Sequence, residues 1–236
     1  LNNIGPILNW RNCLTKAKGK YAVILCDDDF IVDINFIKNG ISIFALDDKI
    51  NLVLTNCIFG YDNKISNSNL IYEQGLNGKL FIKDFWDKLN IPIISNFFCV
   101  KDAIKCNPFT DNDILFSDIE LWLLLMNKGN LGLITIPSVY YNFHGNNIVL
   151  NLSPERLIKN AKFIANLKHE FGISLNFLTL RYLLFLSSIT KKHLNISIVK
   201  AIGEKSEVDK GFQVIIKYQI KYYSYLIRKL IRGLFN

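Results

Sequence analysis

Short apolar segments alternate with amphipathic segments through the first 150 residues, and this alternation constrains the fold more than any other feature of the chain. The apolar segments predict strands: YAVIL (21–25), NLVLTNCIFG (51–60), PIISNFFCV (92–100) and LGLITIP (131–137). Between them, the spacing of apolar residues predicts helices over 9–18, 33–47, 81–89, 101–106 and 118–129. Alternating strands and helices indicate an α/β fold with a mostly parallel sheet flanked by helices.

Four residues mark expected element boundaries. Gly19 and Gly129 are natural helix stops, because glycine readily adopts the backbone conformation of a C-terminal cap. Asp33 is a candidate N-cap for the second helix. Pro137 is expected to close the fourth strand, since proline cannot donate to a strand ladder.

The charge balance changes sign near residue 150. Residues 1–150 hold 13 Lys and Arg against 15 Asp and Glu, whereas residues 151–236 hold 15 against 5. Pro154 suits the first position of a helix, and the pattern beyond it is helical almost to the end. We therefore expect a core domain over 1–150 and a basic, helical C-terminal region over 151–236.

Two segments of the C-terminal region bear on membrane binding. Asn176 and Arg181 interrupt the apolar stretch 173–190, which favours a buried helix over a membrane span. Residues 217–236 hold five basic residues and no acidic one, with an apolar side opposite the basic one. This pattern fits a helix on an anionic membrane surface and equally a helix packed on the core. No recognised module supports nucleic-acid binding.

The cysteines indicate a reducing environment. Five of them are scattered along the chain, at 13, 26, 57, 99 and 106, without a C-x-x-C pair. Their odd number and the lack of a secretory leader favour a cytosolic location, and a zinc site is not expected.

Three consecutive aspartates, Asp27, Asp28 and Asp29, follow the first apolar strand. Taken alone, they are most simply a solvated acidic turn. However, open α/β sheets bind ligands at the carboxyl ends of their strands, and clustered carboxylates suit hard cations such as Mg²⁺ or Mn²⁺. A metal site is therefore the alternative interpretation.

Two later residues also allow two interpretations each. Asp118, at the start of a predicted helix, is most simply an N-cap, but it could act as a general base held by a rigid helix start. His144 follows a strand and several aromatic residues. A solitary histidine is usually structural, yet an imidazole beside carboxylates can also bind metal or phosphate.

Two long segments carry these features in an ordered set. They are NNIGPILNWRNCLTKAKGKYAVILCDDDFIVD and FSDIELWLLLMNKGNLGLITIPSVYYNFHGNN. In order and spacing, residues 1–148 resemble the inverting GT-A glycosyltransferases of family 2. The matching positions are Asn3, Gly5, Ala17, Gly19, Tyr21, Asp27 to Asp29, Asp118, Leu121, Trp122, Gly129, Tyr140, Tyr141 and His144.

The resemblance implies a role for each acidic residue. Asp28 and Asp29 would hold Mg²⁺ or Mn²⁺ on the diphosphate of a nucleotide-sugar, and Asp27 would line the ribose or support the metal. Asp118 would take the proton of the acceptor hydroxyl during one in-line displacement at the anomeric carbon. His144 would contact metal or diphosphate.

The resemblance also implies the partners. Asn3, Gly5, Asn9 and Arg11 would lie on the donor side, and a UDP-sugar is the expected donor. The acceptor would be a hydroxyl of a glycan or lipid-linked glycan in bacterial surface polysaccharide synthesis, at the inner face of the cell membrane. The alternatives are another metal-dependent nucleotide transferase, or an inactive GT-A-like protein that binds membranes or serves as a scaffold.

The sequence departs from the family pattern in three ways. Cys26 stands where the first acid of the D-x-D pattern is usual, and Ser117 stands where a glutamate usually precedes the catalytic aspartate. The first strand, first helix and base-binding aspartate of the family would precede Leu1. We therefore expect a GT-A core truncated at its N-terminus.

Overall fold

The computed structural model describes residues 3–61, 64–68, 70, 73–82, 95–144 and 152–171. The chain divides into two compact units, Leu1–Asn147 and Ile148–Asn236. The predicted segments 173–190 and 217–236, and most of the predicted helix 81–89, lie outside the described residues. In the described part of the chain, no helix combines the length and apolar character needed to span a membrane.

The described helices and the longer strands follow the predicted alternation, whereas three short strands, over 30–31, 64–67 and 76–77, were not predicted. The helices are α1 (Pro6–Lys16), α2 (Phe36–Phe44), α3 (Val100–Cys106), α4 (Ser117–Met126) and α5 (Pro154–Phe171), with a further helical turn over 78–82. The strands are β1 (Tyr21–Val23), β2 (Phe30–Ile31), β3 (Ile50–Tyr61), β4 (Lys64–Asn67), β5 (Leu76–Asn77), β6 (Phe97–Cys99) and β7 (Asn130–Phe143). All except α5 belong to the first unit.

The strands of the first unit form one sheet in the order β1-β6-β3-β7-β2, with β4 added to β3 and β5 to β7. The predicted α/β class, a sheet flanked by helices, is confirmed. The pairing is more mixed than expected: the long β3–β7 pair is parallel, whereas the other described pairs are antiparallel. A strand that is buried on both faces reads as a continuous apolar run whichever way its neighbours run, so apolar composition alone could not reveal the direction of pairing.

Strand β3 lies at the centre of this core. Its residues Leu52, Val53 and Leu54 are fully buried, which explains why the segment is continuously apolar rather than alternating. On one face α2 packs Phe36 against Phe97 of β6, with ring centroids 4.6 Å apart. The carboxyl end of β3 and β7 is thereby held by a well-packed sheet.

Gly40 of α2 is a test of this packing. A Cβ at Gly40 would lie 2.7 Å from the Phe97 ring, which Phe36 supports on another side. Overpacking costs about 1–3 kcal/mol, which exceeds the roughly 1 kcal/mol that alanine gains over glycine in a helix. We expect Gly40→Ala to lower the free energy of unfolding in urea by about 1 kcal/mol. Ser42→Ala, at an exposed position of α2, is the control and should not lower it.

Pro137 does not close the last strand, contrary to the prediction. Strand β7 continues to Phe143, and its register against β3 shifts between the pairs Thr55↔Ile134 and Cys57↔Val139. Residues 135–138 therefore bulge out, and a proline in a bulge removes no ladder hydrogen bond. The side-chain amide of Asn56 donates to the Thr135 carbonyl at 2.9 Å and fixes the bulge.

The predicted caps also differ in detail. Asn35, not Asp33, is the N-cap residue of α2. The Asp33 carboxylate accepts the Asn35 backbone N–H at 2.9 Å, an Asx turn placed just ahead of the helix. Helices α1 and α4 end at Lys16 and Met126, so Gly19 and Gly129 lie beyond the actual C-caps.

Candidate functional site

The acidic segment lies directly after β1 and folds into a tight turn. The backbone N–H of Asp29 donates to the Cys26 carbonyl at 3.2 Å and closes this turn. Asp27 is exposed, Asp28 is partly buried and Asp29 is 6% exposed. One ligand atom each of Cys26, Asp28 and Asp29 lies within 4.8 Å of the other two. The turn thus gathers two carboxylates and a thiol at one point.

The end of β7 supplies contacts to two of these carboxylates. The backbone N–H of Asn142 donates to Asp29 Oδ1 at 3.1 Å. His144 Nε2 lies 3.0 Å from Asp28 Oδ2. The long strand β7 therefore brings His144 to the acidic cluster.

The surroundings of Asp29 disfavour its ionised form. Burial, followed by the charges of Asp28 and Asp27, raises the pKa of Asp29 to about 6, although the Asn142 N–H and His144 act in the opposite sense. Asp29 Oδ2 is buried and accepts no hydrogen bond from the described part of the chain. A cation beside this oxygen would satisfy it and would favour the ionised carboxylate.

These residues fit a hard divalent cation in part. Asp28 and Asp29 offer the carboxylate oxygens that Mg²⁺ and Mn²⁺ prefer. Burial and the neighbouring aspartates raise the pKa of the Cys26 thiol to about 12, so it is neutral at physiological pH. A neutral thiol is a poor ligand for a hard cation. The two carboxylates therefore form the cation-binding part of the cluster.

Asp118 lies in the first turn of α4 and is 2% exposed. It is not the N-cap: that position is Phe116, which has no side-chain cap hydrogen bond. Its Oδ1 accepts the Ile119 N–H at 2.8 Å, whereas Oδ2 is buried without a partner among the described residues. Burial raises the pKa of Asp118 to about 8. Asp118 also raises the pKa of the Cys26 thiol, which indicates that it lies near the acidic cluster.

The raised pKa of Asp118 predicts how stability depends on pH. The folded chain binds this proton more tightly than the unfolded chain, whose value is near 3.8, so the free energy of unfolding falls as pH rises between 3.8 and about 8. One such group gives a slope of up to about 1.4 kcal/mol per pH unit. The Asp118→Asn variant lacks this titration. In urea denaturation without metal, the amount by which its free energy of unfolding exceeds that of the native chain should therefore grow from pH 5 to pH 8. Parallel pH profiles for the two proteins would contradict this.

Two of the four residues predicted for the donor side contact the segment that joins α3 to α4. Gly5, at φ 80°, packs so closely on the Asn112 side chain that a Cβ would not fit, and Arg11 donates to Asn107 Oδ1 at 3.4 Å. Asn3 and Asn9 contact Gly5 instead: Asn3 Oδ1 accepts the Gly5 N–H at 2.9 Å, and the Asn9 backbone N–H donates to the Gly5 carbonyl.

Sequence reasoning missed two members of the cluster. Cys26 was noted only as a departure from a pattern, yet its sulfur lies among the carboxylates. Asn142 contributes through its backbone N–H, and such a contact leaves no signal in the sequence because any residue except proline could make it.

The chain has an α/β fold of the glycosyltransferase-like, Rossmann type. Among solved structures, the chain is similar to the crystal structure of S. aureus TarS 1–349, with a TM-score of 0.53 and 13% sequence identity. The match covers 82% of this chain and 51% of that one, so the chain spans about half the length of its neighbour. At this identity the likeness establishes the fold alone. No protein-family model and no curated protein sequence matches the chain.

Proposed function

We propose that this chain is the core of a metal-dependent, inverting glycosyltransferase that uses a nucleotide-sugar donor, with a UDP-sugar as the expected substrate. One observation carries the proposal: Asp28 and Asp29 lie together in the turn that follows β1, near a buried Asp118 whose Oδ2 has no partner among the described residues. The likeness to TarS, a glycosyltransferase, supports the reaction class. The order of motifs supports family 2 and the inverting course.

Asp28 and Asp29 would hold the cation, with His144 orienting the Asp28 carboxylate at 3.0 Å. Such a cation, Mg²⁺ or Mn²⁺, would neutralise charge on the departing nucleoside diphosphate. Asp27 is exposed beside these two residues, which suits contact with the ribose of a bound nucleotide.

Asp118 would be the general base. Its Oδ1 is held by the Ile119 N–H, which leaves Oδ2 to accept the proton of an acceptor hydroxyl. The acceptor oxygen would form a bond to the anomeric carbon as the bond to the diphosphate oxygen breaks on the opposite face, giving inversion. A pKa of about 8 makes this carboxylate a stronger base than an ordinary aspartate.

The acceptor and location remain parts of the same proposal. The sequence pattern supports a glycan or lipid-linked acceptor in surface polysaccharide assembly, on the cytoplasmic face of the membrane. The basic segment 217–236, which would bind the anionic surface, lies outside the described residues.

The identity of the released nucleotide tests the reaction class. The protein is incubated with Mn²⁺ and individual UDP-sugars, and the products are separated by ion-exchange chromatography. Release of UDP, dependent on Mn²⁺, is expected because a glycosyltransferase breaks the bond between the sugar and the diphosphate. Release of sugar 1-phosphate, with transfer of the uridylyl group, would instead identify a nucleotidyltransferase and overturn the proposal.

A further inference from the structure

A cavity lies at the opposite end of the sheet from the acidic cluster. Its volume is about 470 Å³, within the range of small-molecule sites. Asn51 and Asn130 line it, and both stand at the amino ends of the parallel strands β3 and β7. The contact from Asn142 to Asp29 lies near the opposite end of β7. The cavity is therefore separate from the proposed reaction site.

The lining of this cavity is mostly polar, and it offers both donors and acceptors. All ten lining residues are Asn, Asp, Lys or Gly. Asparagine carries one acceptor oxygen and two donor hydrogens, and lysine contributes donors only. Such a surface matches a ligand that presents hydroxyl groups, because each hydroxyl can both donate and accept.

The charge around the cavity is close to neutral. Three lysines (Lys49, Lys79 and Lys128) face two aspartates, Asp48 and Asp102, which leaves a formal charge of only +1. The carboxyl end of α4, which carries the negative end of the helix dipole, also lies here through residues 127–129 and offsets part of that charge. A neutral ligand therefore matches the lining without needing charge compensation.

One buried acceptor at this cavity points to a ligand that donates hydrogen bonds. Asn51 is 6% exposed and lines the cavity. Its Nδ2 donates to the Leu125 carbonyl at 2.9 Å, but its Oδ1 has no partner among the described residues. A hydroxyl hydrogen at the floor of the cavity would satisfy Oδ1, and a fully ionised phosphate has none to give.

We infer that this cavity binds a neutral saccharide, through Asn51 at its floor and Asn127 and Lys79 at its exposed rim. The inference does not depend on the proposed transferase chemistry, because the cavity contains none of the residues of the acidic cluster. It would give the protein a second place to hold a glycan, away from the site of reaction.

Rim variants test the inference without disturbing the fold. Asn51 also holds the Leu125 carbonyl, so its replacement would disturb α4. Asn127→Trp instead blocks the cavity from an exposed position, and Lys79→Ala removes an exposed donor. Asn12→Trp, at an exposed position of α1, is the matched control.

Binding of maltotetraose, cellotetraose and chitotetraose to the full chain is measured by ligand-observed NMR, without metal or nucleotide. We expect at least one tetrasaccharide to bind, at least tenfold more weakly to Asn127→Trp, at least threefold more weakly to Lys79→Ala and equally well to Asn12→Trp. Asp28→Asn should leave this binding unchanged, which separates failure of this inference from failure of the proposed function.

Two results would overturn the inference. The first is that no tetrasaccharide binds, or that Asn127→Trp binds as well as the native chain. The second is that tripolyphosphate, used as the anionic probe, binds with sensitivity to Asn127→Trp while the saccharides do not, which would make the cavity an anion site.

Discussion

Replacing Asp28 with asparagine is expected to lower the Mn²⁺-dependent affinity for UDP by more than about a hundredfold. That figure is the upper one for replacing residues that only hydrogen-bond to a metal ligand, whereas Asp28 is proposed as a ligand itself. Asparagine keeps the shape of Asp28 but removes a negative charge from the cluster that Asp29 and Cys26 complete. It also removes the ionic part of the contact with His144. Isothermal titration of UDP with and without Mn²⁺ measures the effect.

Glu73→Gln is the matched control for this variant. It removes one carboxylate from an exposed residue next to Gln74, whose side chain bonds to Leu133 near the start of β7. Its affinity for UDP should equal that of the native chain. If Asp28→Asn retained native affinity while its melting temperature was unchanged, the assignment of the cation to Asp28 would be wrong.

Replacing Asp118 with asparagine should leave UDP binding intact and reduce transfer by about 10²–10⁴-fold, the contribution typical of general base catalysis. The asparagine oxygen can still accept the Ile119 N–H that orients the native side chain. What is lost is the basic Oδ2, which has no other described partner. Product formation at saturating donor, combined with UDP titration, separates this effect from one on binding.

The pH profile gives a second measure of the same role. With a pKa of about 8, only about a tenth of Asp118 is ionised at pH 7 in the metal-free chain. The kcat/KM for transfer should therefore rise with pH on the acidic side of the pH profile. The residual activity of Asp118→Asn should lack that rise. An asparagine variant with native activity would exclude Asp118 as the base.

The sequence predicted the elements of the fold well because their signals are local. The apolar segment before Asp27 and the apolar run after Asp118 became β1 and α4 with boundaries displaced by only a few residues. It could not predict the direction of the antiparallel pairs, since β6 reads as a buried apolar strand whichever way its neighbours run. The prediction that Pro137 ends the last strand was wrong for a related reason. Whether a proline ends a strand or lies in a bulge depends on the partner strand.

The candidate site was only partly predictable. The resemblance implied that His144 contacts metal or diphosphate, which stays a prediction, and the structure places its Nε2 3.0 Å from Asp28 Oδ2. The burial of Asp118, the source of its raised pKa, depends on how α4 packs and cannot be read from residues 116–120 alone. The cavity at the opposite end of the sheet was not foreseen, because its asparagines and lysines come from segments far apart in the chain and each is ordinary in its local context.

The bulge at residues 135–138 determines where the last residues of β7 lie relative to the acidic cluster. Between the paired positions Thr55↔Ile134 and Cys57↔Val139, β3 has one residue and β7 has four. Strand β7 therefore has three more residues in this interval than a regular ladder would need. Everything after the bulge, including the Asn142 N–H and His144, is set in place by that surplus. A deletion there that the bulge could not absorb would shift the later residues of β7 along β3 and turn their side chains to the opposite face of the sheet. The acidic cluster would lose both of its β7 contacts, while the asparagine-lined cavity at the other end kept its geometry.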